Sequence, residues 1–269
     1  MAKQSKPSRA GEPAADGYFL RSQRPLEILF FLLPLIVFYE VGLLVYLRGS
    51  GVVLTNKAHE ALLRIFEAFG LDGASLSLPA LSLPGALLVV VLLTWQVLAR
   101  QKWEVDLRTV GLMALESVAL ALPLLVFAQL IAQAFGAVAP AALGADAAET
   151  TLRKLPLAGQ VAIAMGAGLY EELIFRMTLI AVLHTAFVDA LKWPERRSTI
   201  LAVVLSAIAF AFYHPLRDSH GAFDLPRFAS LLVAGGYFGA IFAKRGFGIV
   251  VGAHAAYDIA ALLLAARAA

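Results

Sequence analysis

The chain has no cysteine and little charge. Its 269 residues include 22 Lys and Arg, 19 Asp and Glu and no Cys, and 60% are hydrophobic. The missing thiols exclude disulfides, thiolate metal ligands and cysteine nucleophiles. The missing charge excludes a soluble globular domain: 15% charged residues compares with about 25% in soluble proteins, and a core of this size cannot hide so much apolar surface from water. The second solvent is lipid. Also absent are HExxH, GxSxG, a phosphate-binding glycine loop and a dinucleotide fingerprint. No basic stripe is interleaved with aromatics, so nucleic acid is not an expected partner. Any chemistry has to come from Glu, Asp, His, Ser, Tyr or Arg.

What is present is a series of apolar runs. They predict transmembrane helices over residues 28–47, 84–98, 110–133, 156–187, 200–214, 228–243 and 248–265. The first run is too long for a signal-peptide core and lacks a small-residue cleavage site. Residues 55–71, TNKAHEALLRIFEAFGL, place Ala58, Leu62, Ile65, Phe66 and Phe69 on one side, opposite Lys57, Glu60, Arg64 and Glu67. That pattern predicts an interfacial amphipathic helix. The fold class is therefore an all-α polytopic membrane bundle of about seven transmembrane helices plus one amphipathic helix. Its parts are a basic, disordered tail (1–24), N-terminal helices with the amphipathic connector (25–155, including an Ala/Gly loop over 136–151) and a C-terminal helical core (156–269). With the N-terminus inside, the inner segments carry thirteen Lys and Arg and the outer segments eight. The bias predicts a cytoplasmic N-terminus, in a bacterial inner or cell membrane.

An ionisable group at membrane depth is costly unless it is paired or faces a cavity, so each one needs a reason. They cluster in the C-terminal core. Glu171, Glu172 and Arg176 lie in YEELIFR within the longest apolar segment. Glu172 and Arg176, four apart, can form an ion pair across one helical turn, and Glu171 points about 100° away from Glu172. Phe210 and His214 end the fifth run in FAFYHP. His254 and Asp258, in HAAYD, share one face of the last helix. A carboxylate beside two histidines in a dry cavity suits water activation: Glu171 takes the proton, and an imidazole with Asp258 stabilises the oxyanion on a peptide carbonyl. Read singly, His214 suits a helix cap, His254 a packing histidine and Glu172 with Arg176 a structural pair; their coincidence in one half of the chain is the informative feature. Glu40 and Glu116 read as packing partners of Arg or Ser, or as cavity lining. His59 and His184 read as interfacial, and His220, with Asp218 and Asp224, is a weak metal signal. The glycines of GAGLY and AGGYFGA allow close helix approach.

These motifs resemble the CPBP family of intramembrane endopeptidases, which includes the type II CAAX prenyl proteases and relatives linked to bacteriocin maturation or immunity. EExxxR is matched by Glu171, Glu172 and Arg176, FxxxH by Phe210 and His214, and HxxxN/D by His254 and Asp258. The gaps of 43 residues from Glu171 to His214 and 40 from His214 to His254 are similar to the family arrangement, over about residues 156–265. The resemblance implies that Glu171 and His214 activate the hydrolytic water, that His254 and Asp258 help build the oxyanion site, and that Arg176 orients Glu172. The family has been described as both glutamic and metallo-endopeptidase. Two histidines with glutamates are also donors that zinc accepts, but no compact metal motif is present, so the favoured reading is glutamate activation without a cofactor. The prenyl-protein branch usually carries Asn at the position of Asp258; an ionised Asp only accepts hydrogen bonds, which suits orienting His254 better than donating to an oxyanion.

The expected function is hydrolysis of a peptide bond in a membrane-associated protein or peptide, with a lipidated tail as one form of substrate. The alternatives are a non-enzymatic immunity or scaffold protein of the same fold and a proton-coupled transporter. A transporter would string its ionisable groups across the bilayer and show two similar halves; no internal repeat is present.

Overall fold

The computed structural model describes residues 17–47, 55–70, 82–134, 154–218 and 220–268; the expectations for residues 1–16 and for the 136–151 loop lie outside them. The described residues form nine helices: α1 (Tyr18–Arg21), α2 (Pro25–Gly42, continued by a π-helical turn over Leu43–Leu47), α3 (Lys57–Ala68), α4 (Leu83–Ala99), α5 (Leu107–Ala134), α6 (Leu157–Ala190), α7 (Glu195–Tyr213), α8 (Leu225–Arg245) and α9 (Phe247–Ala268). Six of them, α2 and α5 to α9, are long and apolar enough to cross a membrane. The seventh expected span, α4, has 17 residues, about 25 Å of helix. The protein is thus an all-α, multi-pass membrane bundle.

Its apolar residues lie outside as well as inside. Leu115 and Val126 of α5 are 66% and 60% exposed, as lipid-facing positions of a spanning helix are. Because lipid is as apolar as Leu, close packing and polar contacts hold the helices together. The core joins Ile28, Leu32 and Tyr39 of α2, Leu88 and Leu92 of α4, Met113 of α5, Tyr170 of α6 and Ile249 to Val251 of α9, all buried. Small residues set the closest approaches. A Cβ on Gly168 of α6 would stand 2.9 Å from the backbone nitrogen of Ala255 in α9, and one on Gly235 of α8 would stand 2.9 Å from the Cα of Ala207 in α7. Between α8 and α9 the chain reverses at Gly246, whose φ of +81° suits glycine.

Two expectations are corrected. The end of the basic tail is ordered: Tyr18 donates to the Glu116 carboxylate, Arg245 grips that carboxylate at 2.6 and 2.7 Å, and its guanidinium lies over the Phe19 ring at 4.3 Å. The Tyr18 hydrogen bond, an Arg21–Asp106 ion pair at 2.8 Å and the cation–π contact hold α1 in place, so composition alone misreads it as disordered. His59 is not interfacial. It is fully buried in α3, beneath the Asn56 cap, with Nδ1 3.0 Å from the Tyr39 hydroxyl and its ring edge-on to Tyr170. Glu40 is a packing partner, accepting from Ser82 at 2.9 Å and Tyr170 at 3.2 Å. His220 is exposed and His184 half-buried.

Candidate active site

Glu171 and Glu172 are buried where α6 changes pitch. Regular α-helix covers Leu157–Glu172, and a π-helical stretch follows over Leu173–Ile180. Two hydroxyls serve carbonyls in the widened stretch: Thr178 donates to Leu173 O and Ser206 of α7 to Phe175 O, both at 2.8 Å. Such widened turns recur at functional sites. Here it begins directly after the two carboxylates.

Arg176 is fully buried. Its Nη1 stands 3.0 Å from Glu172 Oε1, an ion pair by distance whose angle is too poor for a hydrogen bond, while Nη2 donates to Gly235 O of α8 at 3.3 Å. The guanidinium also lies over the Phe210 ring at 4.4 Å. The four-residue spacing of Glu172 and Arg176 thus produces the predicted pair, seated on an aromatic face of α7.

Both histidines are oriented through Nδ1. His214 caps α7, and its Nδ1 lies 2.8 Å from Phe210 O. A carbonyl only accepts, so Nδ1 carries the proton and Nε2 faces inward. This explains the spacing of FxxxH in physical terms: the Phe supplies a ring to Arg176 and a carbonyl to the His one turn later. His254 Nδ1 lies 2.7 Å from Glu172 Oε1, and its ring stacks on Phe238 with centroids 4.6 Å apart. Its Nε2 then faces two carboxylates, Asp258 Oδ2 at 3.5 Å and Glu171 Oε2 at 4.0 Å. Glu171 Oε2 is also 3.7 Å from His214 Nε2. One carboxylate oxygen therefore sits between two imidazole nitrogens, at distances that leave room for a shared hydrogen-bonding molecule.

All six predicted side chains converge, although His214 ends the fifth apolar run and His254 lies near the start of the last one. The reason is register. The 34 residues of α6 make a helix of about 50 Å against a hydrocarbon core of about 30 Å. The Ser206 bond and the edge-on contact of Phe175 with Phe210 bring the end of α7 beside the middle of α6, and the Gly168–Ala255 approach brings His254 to the same level.

A partly open cavity of about 50 Å³ adjoins these groups, lined in part by His214, His254, Asp258, Phe210, Phe238 and Tyr257. It has room for one or two waters. Sequence reasoning missed Phe238 and Tyr257, which carry no polar pattern of their own, and Tyr213, whose buried hydroxyl has no partner among the described residues and whose ring lies edge-on to His214. It also passed over Arg227 and Ser230, which line the cavity from the first two turns of α8. Among the described residues no three His, Asp or Glu side chains are grouped as metal ligands.

No curated protein and no solved structure matches the chain. Residues 153–260, which hold all six converging side chains, match the family model described as type II CAAX prenyl endopeptidase, Rce1-like. Through this region the chain is similar to the Rce1-like family of type II CAAX prenyl endopeptidases.

Proposed function

We propose that this protein hydrolyses a peptide bond in a membrane-associated protein or peptide, using a water activated by Glu171 and His214. The observation that carries the reading is the position of Glu171 Oε2, 3.7 Å from His214 Nε2 and 4.0 Å from His254 Nε2 beside a cavity large enough for water. Glu171 takes a proton from the water as its oxygen attacks the substrate carbonyl carbon, and His214 Nε2 orients that water. His254, held at Nδ1 by Glu172 and faced at Nε2 by Asp258, donates from Nε2 to the oxyanion. Collapse of the tetrahedral intermediate breaks the C–N bond, and the departing amine takes the proton from Glu171. Arg176 positions Glu172 and touches no reacting atom. Convergence on one oxygen supports hydrolysis over a proton relay, which needs its groups spread along the membrane normal. Glutamate activation without zinc is the proposed route, because Glu172 is already committed to Arg176 and His254.

The test is a comparison of membrane proteomes from cells carrying the parent chain and Glu171→Gln. The reading expects at least one membrane-associated precursor to remain uncleaved in the variant only. Identical proteomes, with both proteins present at equal levels in the membrane, contradict it.

A further inference from the structure

A second, larger hollow lies away from the histidines, between the start of α2 and the end of α4. It is an open groove of about 330 Å³, lined in part by Leu20, Gln23 and Arg24 on one wall and by Trp95, Ala99 and Gln101 on the other. Small-molecule sites begin at roughly 300 Å³. Its level is that of the membrane surface. The span Pro25–Tyr46 has 22 residues, about 33 Å of helix against a hydrocarbon core of about 30 Å, so its first turn stands where hydrocarbon meets headgroups. Leu20 and Leu98 are exposed there, and Trp95 is a residue type suited to that boundary.

Both walls are fixed. Gln96 is buried and donates from Nε2 to Gln101 O and Lys102 O, each at 3.0 Å, which holds the reversal after α4, where Arg100 has a φ of +49°. On the other side Arg21 pairs with Asp106 at 2.8 Å, and Ser22 Oγ accepts from Arg245 at 3.1 Å. The charge is of one sign. Arg24 is half-buried, and among the described residues no carboxylate lines the groove. Arg100 and Lys102, both exposed, flank Gln101 in the chain. The first turn of α2 has no side-chain cap, so the positive end of its dipole also favours an anion.

We propose that this groove binds the headgroup of an anionic phospholipid. The Arg24 guanidinium takes the phosphodiester oxygens, the amides of Gln23 and Gln101 serve the headgroup hydroxyls, and Leu20 and Trp95 cover the glycerol and the first acyl carbons. A basic groove between membrane helices at this depth is the setting in which headgroups are held. A soluble phosphate ester would engage the polar half alone and leave the apolar wall uncovered, so the lipid is the occupant. The assignment is independent of the hydrolytic reading.

The test is native mass spectrometry of the full chain in a non-ionic detergent, titrated with dioleoyl phosphatidylglycerol, dioleoyl phosphatidylcholine or glycerol phosphate. The groove predicts that one phosphatidylglycerol is held about 10- to 100-fold more tightly than phosphatidylcholine, the range expected of a charge-assisted hydrogen bond to a net anion. In Arg24→Gln the preference is expected to fall to about twofold or less. Ala99→Trp fills the groove from an exposed position and changes no charge; it is expected to weaken phosphatidylglycerol binding by about tenfold or more, and it keeps the proposal testable should Arg24→Gln not fold. Arg196→Gln removes an exposed charge outside the groove and is expected to leave the preference within about twofold of the parent. Equal binding of the two lipids overturns the proposal, as do equal losses in Arg24→Gln and Arg196→Gln, or unchanged phosphatidylglycerol binding in Ala99→Trp. Glycerol phosphate bound as tightly as phosphatidylglycerol overturns it too, because the acyl end then contributes nothing.

Discussion

The Glu172–Arg176 pair offers a quantitative test of how the buried cluster is held. Arg176→Met keeps most of the side-chain volume and removes the charge. Glu172 is then left fully buried with His254 Nδ1 as its one remaining polar contact, since its second carboxylate oxygen has no hydrogen-bond partner among the described residues. Breaking a buried pair in this way costs about 3–5 kcal/mol. The lost contact with the Phe210 ring, 4.4 Å from the guanidinium, falls within that figure, because an apolar Met side chain packs on the same face. For a chain of this size the loss corresponds to a fall of roughly 6–20 °C in Tm. Adding Glu172→Gln removes the stranded charge, and the double variant is expected to recover about 2 kcal/mol or more of that loss. Its hydrolytic rate is expected to stay low, because a neutral amide holds His254 less firmly than a carboxylate does. The assay is thermal or denaturant unfolding of the parent, the two single variants and the double variant in one detergent. A single Arg176→Met that unfolds within about 1 kcal/mol of the parent, or a double variant no more stable than the worse single one, refutes the reasoning.

Two further predictions test the scaffold. Gly168→Ala places a Cβ 2.9 Å from the Ala255 backbone nitrogen and 3.0 Å from its Cβ; overpacking of this kind costs about 1–3 kcal/mol, and moving α9 away from Glu171 and Glu172 is expected to lower kcat by about tenfold or more, read from unfolding and turnover of the same preparation. Asp106, ahead of α5, accepts from the Thr109 hydroxyl, which with the Arg108 N–H and Arg21 holds its carboxyl below the usual carboxylate range. A lowered folded-state value adds stability above the unfolded value of about 3.9 and loses it as pH falls through the folded one, so the Tm of Asp106→Asn is expected to fall less than that of the parent on acidification from pH 5 to pH 3.

Much of the site was legible because its parts are local. Glu172 with Arg176, Phe210 with His214 and His254 with Asp258 are each four apart, and one helical turn brings each pair to the same face. The convergence of the three pairs was not legible, because it depends on how far the helices slide past one another. That offset is set by Gly168 against Ala255 and by the bond from Ser206 to Phe175 O, neither of which has a pattern in the linear chain. The span limits were legible to within about a turn, except at the start of α7, which lies five residues before the apolar run because its first turn, Glu195 to Ser198, is polar. The environment of α3 was misread for a related reason: its amphipathic pattern shows that one face is apolar, but not that Tyr39 and Tyr170 enclose His59.

The central claim is that Glu171 activates the water. Its most direct test is the cleavage rate of one identified precursor by purified parent and Glu171→Gln proteins matched in detergent, concentration and Tm. General-base catalysis contributes about 10²–10⁴-fold, so the variant is expected to be slower by at least about 100-fold while remaining folded. Cleavage by folded Glu171→Gln at near the parent rate contradicts the account.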